Sequence, residues 1–496
     1  MRLRIAAAFV ALLAVASVPV FSTVLPPLVD YPNHLARMHL LAEGGNRYYA
    51  VRWAPLPNLA ADLIIPPLSR LMPLAFAGKI FLVMVFALLA GGTVWLNRAV
   101  TGTWRKWPLL GFLFLYNRLF LWGFVNYLFG LGLALCGLAL WLTLERRPAW
   151  MRVAASCVAA VACFFAHLSA FGIYALAIAG VELIPFWHEL RRRDWRGAAR
   201  RTVIAGVQFV APAVIFLAWL EPGPGGAIRY ARFVRKFDIL FNVFDNYNRP
   251  FDVICFVLLV TALAVLAGSR RLRFAPRMLT AMGLVFVAYL AMPSQLLSGS
   301  GADHRLPIAL FLLVIGGAAP DLSRREVMVF GGAAAAMFAA RMAVIEAEWL
   351  RADRIYTGDL VALDRLPEGA SLAVAYPADE IHAGAIPELH VPTLAAARRE
   401  AFVPTVFALP SQQPLTLTPA AAALARLSVP PLWWLAFVDR DAAARARLGP
   451  ALAQYDYVVF LDRHRFALPP DPCLKPVAGT PNFQLAAIEH GPACKP

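Results

Sequence analysis

Groups able to carry charge or a proton gather at a few places in this chain. Asp30-Tyr31-Pro32-Asn33-His34 sets a carboxylate, an amide and an imidazole within five residues, with Arg37 and His39 close behind. A carboxylate can take the proton of a hydroxyl, and imidazole titrates nearest neutrality. Asp30 is therefore the candidate general base, and His34 its helper or its substitute. The competing assignment makes Asp30 a cap on a short interfacial helix, His34 to Glu43. Downstream, Pro57-Asn58, Asp62, Pro66-Pro67 and Arg70 suggest a second short helix on the outer surface. Asp62 either meets substrate there or faces water.

Two later segments suit an anionic ligand. Arg229-Tyr230-Ala231-Arg232-Phe233-Val234-Arg235-Lys236 alternates cations with aromatics, a pattern fit for a lipid phosphate at a membrane interface. Gly301-Ala302-Asp303-His304-Arg305 ends in a guanidinium whose planar fork can hold two phosphate oxygens. The competing assignments are an ordinary amphipathic surface segment and an Asp303–Arg305 surface pair. Asn33, Arg37, Asp62, Arg229, Arg232, Arg235, Lys236, Asp303, His304 and Arg305 are the candidate substrate contacts. Tyr116-Asn117-Arg118 and Trp122, Asn126 and Tyr127 form a polar tip between two apolar runs, where aromatics are expected without a function. His167 and Glu182 lie inside apolar stretches, and Glu182 needs a partner or must snorkel. No Walker loop, Rossmann fingerprint, Cys/His zinc spacing or Gly-x-Ser-x-Gly elbow is present, which disfavours ATP-driven transport and serine hydrolysis.

The elements that must position these groups follow from composition. Of 496 residues, 60% are hydrophobic and 15% charged, and the mean hydropathy is +0.63. That excludes a disordered chain and a water-soluble enzyme. Continuous apolar runs, rather than alternating ones, predict membrane helices and not a barrel. The candidate spans are 4–25, 73–97, 107–118, 124–144, 152–166, 168–186, 203–220, 252–268, 278–293, 306–320 and 328–345, about 11 in all. The first is too long for a signal peptide and is read as retained. With a cytoplasmic N-terminus, the inner loops carry Arg98, Arg105 and Lys106; Arg146, Arg147 and Arg152; Arg191, Arg192, Arg193, Arg196, Arg200 and Arg201; Arg270, Arg271, Arg273 and Arg277; and Arg324 and Arg325. This obeys the positive-inside rule and accounts for much of the +16 net charge without nucleic acid.

The outer face then holds long loops at 26–72 and 221–251 and a shorter one at 294–305. The expected domains are a transmembrane domain, 1–345, and a small extracytoplasmic α/β domain, 346–496. The latter opens on an amphipathic helix near Glu346–Leu366. It has strands at Ser371–Tyr376, Tyr455–Asp462 and Phe483–Glu489, and a helix at Ala442–Gln454. Cys136, Cys157, Cys163 and Cys255 are core residues. Cys473 and Cys494 either pair outside the cytoplasm or stay free.

Many spans, an acidic motif just after the first, polar outer loops and a trailing outer domain together resemble the GT-C superfamily. These are membrane glycosyltransferases that use polyprenyl-phosphate sugars. Asp30 stands where the leading carboxylate of the family's first-loop motif would be. The second acidic residue often found there is replaced by Tyr31, Pro32 and Asn33. The resemblance implies a GT-C-like fold in the inner (cytoplasmic) membrane, with a periplasmic C-terminal domain. It implies hexosyl or pentosyl transfer from a lipid-linked sugar donor to an envelope glycan, lipid or protein. Attack assisted by Asp30 would invert the anomeric centre. No cofactor is implied with certainty, and a divalent cation is possible. Membrane lipids are expected partners and nucleic acid is not. The alternatives are a transporter or flippase for a polyprenyl-linked or anionic lipid, and a non-catalytic subunit of an envelope assembly.

Overall fold

The computed structural model describes residues 2–219, 228–296, 299–378, 387–491 and 494. Residue 220, the end of the expected span 203–220, and residues 221–227 and 297–298, in the second and third predicted outer loops, lie outside it. Among the described residues, eight helices are long and apolar enough to cross a membrane, or nine if the bent pair Pro419–Leu427 and Pro430–Phe437 counts as one. The chain is a multi-span helical membrane protein with a small strand-containing C-terminal region. Three of the eleven expected spans are shorter than a crossing. Trp107–Phe114 is a 3-10 helix, Pro276–Ala291 has 16 residues and Arg305–Gly317 has 13. Proline at the start of each lets the segment begin without a lost N–H.

Two compact units divide the chain. The first comprises Met1–Val20, Pro55–Ala60 and Ile80–Ala347; the second comprises Phe21–Ala54, Ala61–Lys79 and Glu348–Pro496.

Of the described helices in the first unit long enough to cross a membrane, Val125–Thr143 is the most buried, with 78% of its apolar window inside, against 11% for Trp195–Ala218. A Cβ on Gly130 would press on Ala166 and Ala170, and one on Gly137 on the Tyr174 ring, so these glycines let neighbouring helices approach closely. His167 separates Ala149–Ala166 from Leu168–Arg191. Its backbone is extended, and its Nδ1 accepts from the Ser169 N–H at 3.0 Å, which caps the second helix. Glu182 does not snorkel. It accepts from Trp141 Nε1 at 2.7 Å and pairs with Arg152, Arg201 and Arg277 at 2.9, 2.6 and 3.1 Å. Arg341 is similarly buried. It pairs with Asp252 and donates to the Phe244 and Tyr116 carbonyls at 3.1 and 3.3 Å. Unpaired, either charge would be too costly inside a bilayer.

In the second unit four strands form one sheet: β1 (Leu372–Ala375), β2 (Tyr457–Leu461), β3 (Leu474–Thr480) and β4 (Phe483–Ile488), in the order β1-β2-β4-β3. β1 runs parallel to β2, and the other pairs are antiparallel. β1 is buried along its whole length, whereas β3 is an edge that exposes Lys475, Pro476 and Val477. A lysine and a proline on an edge discourage pairing with another chain. The predicted Ala442–Gln454 helix is two short ones, Ala442–Arg447 and Gly449–Leu452, because Gly449-Pro450 interrupts it. The expected helix near Glu346–Leu366 does not start there. It is the last part of a 40-residue helix, Arg324–Leu363. At 1.5 Å per residue that is about 60 Å, twice a bilayer core, so the residues after the apolar 328–345 stretch extend beyond it. Cys473 and Cys494 form a disulfide, with Cα atoms 4.9 Å apart.

Candidate functional site

The helix Tyr31–Glu43 carries the first cluster. Pro32 pre-sets its first turn, and Gly44, left-handed at φ 81°, ends it by donating to the Leu40 carbonyl. A Cβ at Gly78 would strike the Tyr31 ring and Leu35, so that glycine lets the chain pass close to the helix. Asp30 occupies the N-cap position, yet its side chain makes no cap hydrogen bond. Its Oδ1 instead lies 3.4 Å from Nε2 of His390. The capping role offered by the sequence is not the one this carboxylate takes.

Asn33 is fully buried and ties the helix to 390–407. Its Oδ1 accepts from the Phe407 N–H at 2.7 Å. Its Nδ2 donates to the Thr405 carbonyl at 2.8 Å and stands 3.1 Å from His390 Nδ1. The Phe407 ring lies edge-on between two imidazoles, with its centroid 5.1 Å from that of His390 and 5.8 Å from that of His34. His34 is buried, with Nδ1 3.3 Å from Arg37 Nη2.

Arg37 and Asp62 form a two-point ion pair, Nε to Oδ1 at 2.9 Å and Nη2 to Oδ2 at 3.0 Å, and both side chains are fully buried. Asp62 therefore neither faces water nor lies open to a substrate. It neutralises Arg37 from the first turn of the helix Ala60–Ser69. Arg37 Nη1 is buried without a hydrogen-bond partner among the described residues. Two further carboxyls flank the His390 segment. Burial raises Glu388 above the usual carboxylate range. Burial also pushes Asp359 up to about 7, and Glu388 adds to the rise while a 2.8 Å hydrogen bond from Thr480 opposes it.

The second cluster lies in the first unit. Asp303 is fully buried and pairs with Lys236 at 2.9 Å; Lys236 also donates to the Met292 carbonyl at 2.7 Å. The anticipated Asp303–Arg305 surface pair is thus replaced by a buried Lys236–Asp303 pair, and Lys236 is not an open phosphate contact. Nδ1 of His304 stands 2.7 Å from Asn242 Nδ2, and burial lowers its imidazole. Arg305 donates to the Ser300 carbonyl at 3.0 Å and lies over the Phe124 ring, 4.8 Å from its centroid. Arg229, Arg232 and Arg235 are exposed, beside exposed Tyr230, Phe233 and Phe237.

His390 and the 405–407 segment escaped the sequence reading. A single imidazole about 360 positions from Asp30 carries no local signal. The nearest hint was Glu388-Leu389-His390 ahead of Pro392, a polar patch at a 3-10 start. Among the described residues, no group of three or more His, Cys, Asp or Glu could hold a metal ion.

No family model matches the chain, and no curated protein does. Among solved structures, it is similar to the crystal structure of ArnT from Cupriavidus metallidurans bound to undecaprenyl phosphate. The TM-score is 0.56 and the identity 15%, covering 99% of each chain. The apo structure of that protein gives a TM-score of 0.53 at 15% identity, covering 97% of each chain. The likeness spans nearly the whole of both chains and shows a shared fold.

Proposed function

We propose that this chain is an integral-membrane glycosyltransferase of the inner membrane. It moves a sugar from a polyprenyl-phosphate donor to an envelope acceptor at the outer face. The observation that carries the reading is Asp30, a carboxylate at a helix start that leaves the cap unmade and faces an imidazole. The fold shared with a protein crystallised with undecaprenyl phosphate supports the donor class.

In the proposed reaction the acceptor oxygen forms a bond to the anomeric carbon as the bond from that carbon to the phosphate oxygen breaks. The acceptor proton passes to Asp30, and polyprenyl phosphate leaves with the electron pair. A single displacement inverts the anomeric centre. Positioning contributes most, and proton abstraction typically adds about 10²–10⁴-fold. A departing phosphate is stabilised by cations. Exposed Arg229, Arg232 and Arg235, set among aromatic side chains, suit a lipid phosphate at the interface, and Arg305 offers a planar fork. The N-terminus is placed in the cytoplasm and the C-terminal region in the periplasm, following the arginine distribution.

The test uses purified protein in sealed proteoliposomes, undecaprenyl-phosphate-linked pentoses and hexoses, and an envelope extract as the acceptor source. Release of undecaprenyl phosphate with an inverted product anomer is expected. Translocation of the intact lipid-linked sugar, with no sugar lost from it, would establish a flippase instead.

A further inference from the structure

Asn33 cannot be turned round. The Phe407 N–H can only donate, so the atom facing it must be the amide oxygen, and the NH₂ group must face the Thr405 carbonyl and His390 Nδ1. His390 Nδ1 is then an acceptor, which puts the proton of the neutral ring on Nε2. That nitrogen faces Asp30 Oδ1. The ring is held in place by Phe407, edge-on at 65°, and its backbone carbonyl accepts from Thr393 Oγ1 at 2.6 Å.

We propose that His390 is a positioning residue for Asp30: Asn33 sets its tautomer, and its Nε2–H holds one carboxylate oxygen so that the other meets the acceptor hydroxyl. This rests on the transferase reading. At 3.4 Å the contact is longer than a settled N–H···O bond, as resting catalytic contacts often are, and it shortens when substrate completes the site. Proton bookkeeping is simple. The acceptor proton goes to Asp30 Oδ2, and His390 keeps its own proton. His34 differs because its Nδ1 faces Arg37, itself neutralised by Asp62.

Four variants, His390→Ala, His390→Gln, Asn33→Asp and Asp30→Asn, are compared in nanodiscs with an undecaprenyl-phosphate-linked sugar that the wild type accepts. His390→Ala should lose about 10- to 100-fold in kcat, the scale of a misplaced catalytic group. Its KM and its affinity for undecaprenyl phosphate should stay near wild type. Glutamine can present an N–H close to the Nε2 position, so His390→Gln should recover most of the loss. Asn33→Asp turns the donor facing Nδ1 into an acceptor and should reverse the tautomer, with a kcat loss like that of His390→Ala. Solid-state NMR of ¹⁵N-histidine protein reads the tautomer without any turnover. A His390 protonated at Nδ1, unchanged kcat in His390→Ala, or no recovery in a folded His390→Gln would each overturn the proposal. Full transfer by Asp30→Asn would overturn the base role of Asp30, and no sugar transfer by the wild type from any undecaprenyl-phosphate donor would overturn the transferase reading. An inactive Asp30→Asn beside a fully active His390→Ala would sink only the role given to His390.

Discussion

Breaking the Arg37–Asp62 pair should unfold the neighbourhood of Asp30 before it alters any chemistry. Both side chains are fully buried and meet at two points, 2.9 and 3.0 Å apart. With charge centres near 4 Å and an effective dielectric of about 20, their attraction is about 4 kcal/mol. Removing one partner forfeits that attraction and leaves the other charge in a dry site, an overall cost of about 3–5 kcal/mol. Asp62→Asn keeps the shape and removes the charge, so it isolates this effect. Replacing both, as Arg37→Met with Asp62→Leu, leaves no uncompensated charge and should be much milder. Thermal unfolding in detergent measures the loss, and amide exchange over Tyr31–Glu43 and Ala60–Ser69 locates it. A loss below about 1 kcal/mol for Asp62→Asn, with unchanged exchange on both helices, would refute the reasoning. Arg37 and Asp62 would then return to the list of substrate contacts.

Asp359 gives the fold a pH dependence. Burial raises its folded pKa to about 7, so between the unfolded carboxyl range near 4 and pH 7 the native state holds a proton that the unfolded state releases. Stability contributed by this group therefore falls as pH rises through that window, by up to about 4 kcal/mol. Asp359→Asn should flatten the slope and raise the melting temperature at pH 8 more than at pH 4; equal shifts at both would contradict this. Arg305→Lys should weaken binding of undecaprenyl phosphate with the fold intact, because a point charge cannot replace the fork. Unchanged affinity in both Arg305→Lys and Arg305→Ala would leave Arg305 a structural donor to Ser300. Mass spectrometry of native protein should find Cys473 and Cys494 joined; both thiols alkylatable without reductant would contradict the pairing.

The membrane architecture was legible because apolar runs and arginine clusters are dense, local signals. For Glu182 the sequence left a partner and snorkelling as alternatives, and the structure supplies three arginines. The strands 372–375, 457–461 and 483–488 showed through their β-branched and aromatic runs, whereas Leu474–Thr480 was hidden by Pro476 and Gly479. The expected spans 107–118 and 306–320 ran past the ends of their helices, since apolar composition does not mark where a short helix stops. At the candidate site Asp30, Asn33, His34 and Arg37 were visible together because they share one helix start. Their partners His390, Thr405 and Phe407 were not, because tertiary contact between distant segments leaves no periodicity. Asp62 looked exposed for the same reason, since its partner Arg37 lies 25 positions away on another helix.

The central claim is that Asp30 is the base of a sugar transfer. Asp30→Asn retains shape and hydrogen bonding but removes the charge that accepts the proton. It is measured beside His34→Ala for transfer from an undecaprenyl-phosphate-linked sugar, with membrane insertion and undecaprenyl phosphate binding as controls. Normal insertion and binding are predicted, with turnover lost by about 10²–10⁴-fold in Asp30→Asn and by less in His34→Ala. Wild-type transfer by Asp30→Asn with none by His34→Ala would exchange the two roles. Undiminished transfer in both would contradict the account.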